Sequence, residues 1–273
     1  MILYFRNYFL ALGIVASVLT LLSSVNKCFT NYFSEHIFTS YFFLFFLCLL
    51  YTVIASRTKK NIKLKVSAKV NLEVKFGDLF EQKGIIVIPF NEYFDVVVDD
   101  EIISKNTLNG VFINKYFSND SNCLLSKINQ QLERHCEVSK VNSDRGKGNT
   151  KKYPLGTTIR IEKGDKIFFL VALTRFDERN RAQITNLEYQ EVVIKLIDFI
   201  ENNSNGYKVN LPLIGAGHSG VNATKQSLLE FLIFSLKIKD KLTLINGINI
   251  ILDKKTHSEI KLKFIDYYYK LLK

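Results

Sequence analysis

Four cysteines, Cys28, Cys48, Cys123 and Cys136, occur at no paired or metal-type spacing. Two lie in apolar segments and two elsewhere, which reads as reduced, structural thiols of an intracellular protein rather than a disulfide frame. The two long apolar runs near the N-terminus hold no ionisable residue at their centres, so an obvious transporter or permanent pore is excluded. A formal net charge of +11 comes without an aromatic RNA-binding motif or a basic helix, and nucleic acid is not an expected partner. Basic residues are dense in one place only, Arg57, Lys59, Lys60, Lys63 and Lys65, just after the second apolar run. That position suits a lipid surface, where each lysine gains about 1 kcal/mol.

Tyr8 to Val25 and Ile37 to Ala55 are the apolar runs themselves, each near the ~20 residues needed to cross a hydrocarbon core. The stretch between them, Asn26 to His36, reads as a short polar loop. A helical hairpin follows, because an unpaired backbone cannot stop inside lipid. The basic cluster and Arg6 place both termini in the cytoplasm. A signal peptide is the rival reading of the first run. No clean small-x-small cleavage site follows, and a second run so soon afterwards argues against removal. Gly13, Ser17, Thr20 and Ser24 share one face of the first helix, either as a close-packing seam or as incidental composition. The expected division is 1–56 hairpin, 57–65 basic juxtamembrane linker and 66–273 ligand-binding domain.

Beyond residue 60, short strands alternate with helices. Asn61 to Phe76 alternates apolar and polar residues, and Ile85-Ile86-Val87-Ile88 is a continuous apolar strand suited to a sheet buried on both faces. Thr157–Ile161, Lys166–Leu173, Lys208–Ile214 and Leu242–Leu252 are further predicted strands. Helices are predicted from Asp99–Lys105 onward, at Ser121–Glu133, Asn180–Asn202, Ala223–Leu236 and His257–Leu272. Val138 to Lys152 is polar, contains two glycines, and is predicted as a mobile surface loop. The pattern predicts an α/β sandwich about a largely parallel sheet, in which ligands sit beyond the carboxyl ends of the strands.

One such end carries three glycines: Leu213-Ile214-Gly215-Ala216-Gly217-His218-Ser219-Gly220-Val221, between a strand and a helix. Glycine there lets a ligand approach the backbone, and a helix start favours phosphate. The same residues match G-x-G-x-x-G, but a dinucleotide site needs an acid about 20 positions on. Here the next strand's terminal acid, Asp253, comes much too late. An ordinary glycine-containing turn is the bland alternative.

Gly77-Asp78-Leu79, then a strand ending Pro89-Phe90-Asn91, then the glycine loop, together resemble a macro domain, the module that binds ADP-ribose. The likeness runs from about Asn61 onward. Asn91-Glu92-Tyr93-Phe94-Asp95, Tyr153-Pro154-Leu155-Gly156-Thr157 and Ala172 to Asp177 resemble a divergent branch that includes the ThsA-type effectors of type II Thoeris anti-phage defence, which carry two N-terminal spanning helices. The resemblance implies a macro-like three-layer α/β/α sandwich with a mixed, largely parallel sheet, preceded by a two-helix transmembrane hairpin in the cytoplasmic membrane. It implies a ligand derived from ADP-ribose, histidine-ADP-ribose made by a TIR-domain partner, with no cofactor, and ligand-driven homo-oligomerisation that disrupts the membrane. On that reading Asp78 accepts from the adenine amino group beside the Leu79 amide, Asn91 lies near the distal ribose, and Gly215, Ala216, Gly217, His218, Ser219, Gly220 and Val221 wrap the diphosphate.

The sequence departs from the hydrolytic members of the class. They carry glycines after the asparagine, where a water attacks; here Glu92 to Asp100 contains none. A binding effector without catalytic residues is therefore expected, with a membrane-anchored ADP-ribosyl hydrolase as the alternative. His218 and Asn109 also differ from the residues associated with the branch.

Overall fold

A computed structural model describes residues 2–56, 58–67, 69–118, 120–217, 219–239 and 242–271. The chain divides into two compact units, Met1–Lys59 and Lys60–Lys273.

The first unit consists of α1 (Ile2–Val25), α2 (Lys27–Glu35) and α3 (Ile37–Ser56). Asn7–Val25 and Ile37–Ile54 are long and apolar enough to cross a membrane. The predicted loop between them is instead the helix α2. Residues 26–36 contain neither glycine nor proline to stop helical hydrogen bonding, which continues through Asn26. Among the described residues, the positions covered within the hairpin include Tyr8, Ala11, Val15 and Leu19 on α1, and Ser40, Leu44, Cys48 and Thr52 on α3. Spacing by three or four puts each set on one face. The Gly13, Ser17, Thr20 and Ser24 face is exposed, and its three hydroxyls bond carbonyls of their own helix. It is not the seam between α1 and α3.

The second unit holds ten strands and five α-helices among the described residues. In chain order these are β1 (Asn61–Lys65), β2 (Asn71–Phe76), β3 (Ile85–Asn91), α4 (Leu108–Phe117), α5 (Ser121–Leu132), β4 (Lys140–Val141), β5 (Lys151–Lys152), β6 (Thr158–Lys163), β7 (Lys166–Phe176), β8 (Ala182–Gln183), α6 (Asn186–Asn203), β9 (Val209–Pro212), α7 (Lys225–Ile238), β10 (Ile248–Leu252) and α8 (Leu262–Leu271). The sheet runs β1-β2-β10-β9-β3-β7-β6, with β8 on the end of β7. The five central strands are mutually parallel, while β1, β6 and β8 pair antiparallel.

Alternation along β3 builds both layers. Ile85 and Val87 join the core beneath α6, α7 and α8, while Ile86, Ile88 and Phe90 join the core beneath α4 and α5. Each fully buried aliphatic side chain of this kind stabilises the fold by about 1.5–3 kcal/mol. The result is the expected three-layer α/β/α sandwich. Asn61 to Lys65, assigned above to a linker, is the edge strand β1, because Ile62 and Leu64 are buried in the first core.

Three helix expectations and one strand expectation need correction. The last helix begins at Leu262 and not at His257, and β10 begins at Ile248 and not at Leu242. The segment from Asp99 does not begin a helix: the Asp99 carboxylate accepts the amides of Glu101 and Ile102, and Asp100 (φ 64°) accepts that of Lys105. Such local bonds compete with helix formation, and α4 starts only where Thr107 caps the Gly110 amide. Similarly α6 begins six residues later than expected, at a reciprocal cap between Thr185 and Glu188.

Candidate functional site

Because β2, β10, β9, β3 and β7 are parallel, the turns after them leave one edge of the sheet. Asp78 follows β2, the glycine loop follows β9 and Asn91 ends β3. In sheet order these span three inter-strand steps, about 14 Å. The residues singled out in sequence therefore converge on one edge, with the glycine loop between the other two.

At one end, Gly77 donates its amide to Leu252 O, tying the β2 turn to β10. The exposed Asp78 accepts the Phe80 amide at 2.8 Å through one carboxylate oxygen; the second has no hydrogen-bond partner among the described residues. Leu79 is buried in the core under α4.

The loop from Leu213 is held from beneath. Tyr189 of α6, 3% exposed, donates its hydroxyl to Ile214 O at 3.0 Å, and burial pushes this phenol well above its ordinary pKa. Ser219 donates to Gly215 O at 2.8 Å. Gly215 has φ +84°, and a Cβ there would meet Tyr189 at 2.8 Å. Gly217 differs: its φ is ordinary and a Cβ would find nothing within 4 Å. Among the described residues the only loop amide with a protein acceptor is that of Ala216, bonded to Leu213 O. The amides of Gly215, Gly217, Ser219, Gly220 and Val221 are without one, a set of donors suited to an anion. His218 lies outside the described residues. The start of α7 adds less than expected, because the Thr224 hydroxyl already caps the Ser227 amide.

At the other end the arrangement is closed. Asn91, 2% exposed, accepts the Tyr93 and Asp95 amides and donates to the Asp95 carboxylate at 3.1 Å. Asp95 in turn forms a bidentate pair with Arg145, at 3.1 and 2.7 Å, and accepts the Asn149 amide at 2.7 Å. The side chains of this pair are 7% and 0% exposed. The guanidinium also stacks 3.9 Å from the Tyr93 ring centre and donates to Asn180.

The predicted mobile loop, Val138 to Lys152, is therefore a ribbon of β4 and β5 whose tip is strapped onto the β3 turn. Gly148, at φ +86°, allows the approach, since a Cβ would lie 2.6 Å from Asp95. Lys147 adds a peripheral ion pair to Asp99, whose carboxyl is lowered to about 2, chiefly by the Lys147 hydrogen bond.

Phe94, buried with φ 50°, packs on Phe90 and Tyr153 where a glycine-rich turn would leave room. Beside it Glu92 is buried, and desolvation raises its pKa. Sequence reading missed Arg145, Tyr189 and Gly148. The one available signal was Asp95 itself, a carboxylate among Tyr93, Phe94 and Val96 that needs a cation once buried.

Next to the glycine loop lies an open cleft of about 470 Å³, lined by Arg175, Phe176, Asp177, Gln183, Glu188 and Gly220 among others. Arg175 and Glu188 are paired across it at 2.6 Å. A shallower depression on the outer face of α5 is larger, but it lies away from these strand ends and gathers no site residue.

Residues 72–253 match the family model described as Thoeris protein ThsA, Macro domain. The Thoeris protein ThsA of Bacillus amyloliquefaciens (strain Y2) is 35% identical over 207 residues, covering 73% of this chain and 68% of that protein. Among solved structures, the Oceanobacillus iheyensis macrodomain with MES bound aligns at TM-score 0.51 and 13% identity, over 77% of this chain and 97% of that chain. A glycine-to-valine mutant of the same macrodomain with ADPR aligns at 0.50 and 12%, over 78% and 100%. At such identities the structural likeness speaks for the fold.

Proposed function

Because this chain belongs to the Thoeris ThsA macro-domain family, we propose that its second unit binds an ADP-ribose-derived signal along the carboxyl edge of the sheet. The observation that carries this is the set of loop amides with no protein acceptor among the described residues, those of Gly215, Gly217, Ser219, Gly220 and Val221, which follow a strand lying between those of Asp78 and Asn91. An extended ligand lies with its adenine at Asp78 and the Leu79 amide, its diphosphate on the glycine loop, and its distal ribose toward the Asn91 turn. A solved macrodomain aligned to this chain carries ADPR, which supports the class of ligand.

The first unit anchors the protein in the cytoplasmic membrane through α1 and α3. The signal, histidine-ADP-ribose from a TIR-domain enzyme, favours a homo-oligomer that disrupts the membrane. It does so only by binding the assembled form more tightly than the separate one. Asn91 acts mainly by shaping its turn. Phe94 stands in this turn in place of the glycines expected of a hydrolytic member, and the Arg145 strap is tied across it, which supports a reading in which the chain binds the signal without hydrolysing it.

The test is calorimetry of the full chain in detergent with ADP-ribose. Asp78→Asn keeps an acceptor for the Phe80 amide but removes the charge. It should weaken binding about tenfold to a hundredfold, as loss of a charged acceptor does. Unchanged affinity would remove Asp78 from the site, and release of ribose products over many turnovers would overturn the binding-only reading.

A further inference from the structure

Helix α8 has two faces. Leu262, Ile265 and Tyr269 pack with Ile62 and Leu64 of β1 in the first core. At 100° per residue, Phe264, Tyr267, Tyr268 and Leu271 form a stripe directly opposite, pointing away from the sheet. They expose 60, 65, 51 and 67% of their surface. Single exposed aromatics are ordinary; four large side chains on one stripe are not scatter. Exposed lysines flank the stripe, Lys261 on one side and Lys263 and Lys270 on the other. Aromatic rings between lysines match the headgroup boundary of a bilayer, where rings lie at the interface and lysines reach anionic phosphates.

The strand beneath α8 is also the one closest in sequence to the apolar helices. Four residues separate Ser56 from Asn61, an extended reach of about 17 Å. Wherever α3 leaves the hydrocarbon, β1 begins within that distance. We propose that the outer face of α8 is a peripheral docking surface for anionic phospholipid, laying the second unit against the membrane. The proposal does not depend on the ligand site.

The chain contains no tryptophan, so Phe264→Trp provides a single indole. The full-length variant is reconstituted into vesicles of phosphatidylcholine with or without phosphatidylglycerol, each containing acyl-brominated lipid. Bromine should quench this indole strongly in the anionic vesicles. It should not quench Tyr207→Trp, placed on the exposed turn before β9. Adding Tyr267→Asp and Tyr268→Asp should abolish the quenching, and each of Lys263→Gln and Lys270→Gln should weaken docking about fivefold. All these positions are exposed, although Lys270 pairs with the buried Asp266, so the fold of each variant is checked by circular dichroism before its docking is compared.

Equal quenching at residues 207 and 264, or none at 264 in chains that resist carbonate extraction, would overturn the proposal. Extraction by carbonate together with flotation on added anionic vesicles would support α8 docking while refuting the anchor. In nanodiscs holding one chain, persistent quenching supports lipid as the occupant. Its loss there, with cross-linking through Tyr268→Cys between copies in crowded vesicles, would overturn it in favour of a second copy of the chain.

Discussion

From Leu213 to Val221 the chain is supported by a phenol from below, and five of its described amides have no protein acceptor. From Asn91 to Asp95, one strand away on the same edge, every polar side chain is engaged within the protein and a ribbon from fifty residues downstream is bolted across the turn. The first turn is ordered by its scaffold and free toward solvent; the second is ordered by side chains that leave it little freedom. An extended ligand would meet a receptive middle and a rigid end. Under the proposed binding mode, specificity for the group on the distal ribose would depend on shape at the strapped turn and the neighbouring Arg175 cleft, while affinity would come from backbone donors that read any diphosphate.

The sharpest way to break this contrast is to unfasten the strap. Arg145→Met leaves the Asp95 carboxylate buried without its cation, which should cost about 3–5 kcal/mol in chemical denaturation. Arg145→Met with Asp95→Leu should recover much of it, since both charges are then gone. A loss below about 1 kcal/mol for Arg145→Met alone would mean that the turn is held by something else.

The glycine loop offers the second comparison. Gly215→Ala combines a left-handed backbone with a collision on Tyr189, and should cost about 1–3 kcal/mol of stability. Gly217→Val enters open space and should leave stability within about 0.5 kcal/mol. It should nonetheless lower ADP-ribose affinity about tenfold or more, because the side chain stands where the diphosphate needs the amides. Equal melting losses for the two would show that the loop is not built as described.

The smallest effect tests the closed end by pH. Glu92 has a raised pKa, so the stability it contributes is present below its ordinary value of 4.5 and is lost as pH rises through the raised one. Glu92→Gln should therefore raise the melting temperature at neutral pH, with the gain vanishing below about pH 4.5. A gain independent of pH would assign the effect to packing.

The two turns also differ in how much their sequence disclosed. The glycine loop was legible because its requirements are local: a strand, glycines and the start of a helix between Val209 and Lys225. The continuous run Ile85 to Ile88 announced a strand buried on both faces for the same reason. The strap was not legible. Val138 to Lys152 is polar and glycine-containing, which is what a loose loop looks like, and nothing adjacent to Arg145 reveals a buried partner fifty residues earlier. The aspartates at 99 and 100 misled in the opposite direction, since residues that can begin a helix serve equally in turns. Among the glycines, spacing alone could not separate Gly215, whose conformation demands it, from Gly217, whose place is open.

The bond between Asp95 and Arg145 also bears on the order of folding. It closes a loop of fifty residues that contains all of α4 and α5, the helical layer over Ile86, Ile88 and Phe168. Closing so long a loop yields nothing until contacts reward it, and an arginine loses its water only when the stack beneath is in place. The layer must therefore dock before the bond can form, which makes the strap a late event and its amides a clock. In pulse-labelling hydrogen exchange, protection of Asn149, whose amide Asp95 accepts, should lag behind that of β3 and β7. A chain caught before that step would display a finished sheet with its carboxyl edge still unlatched.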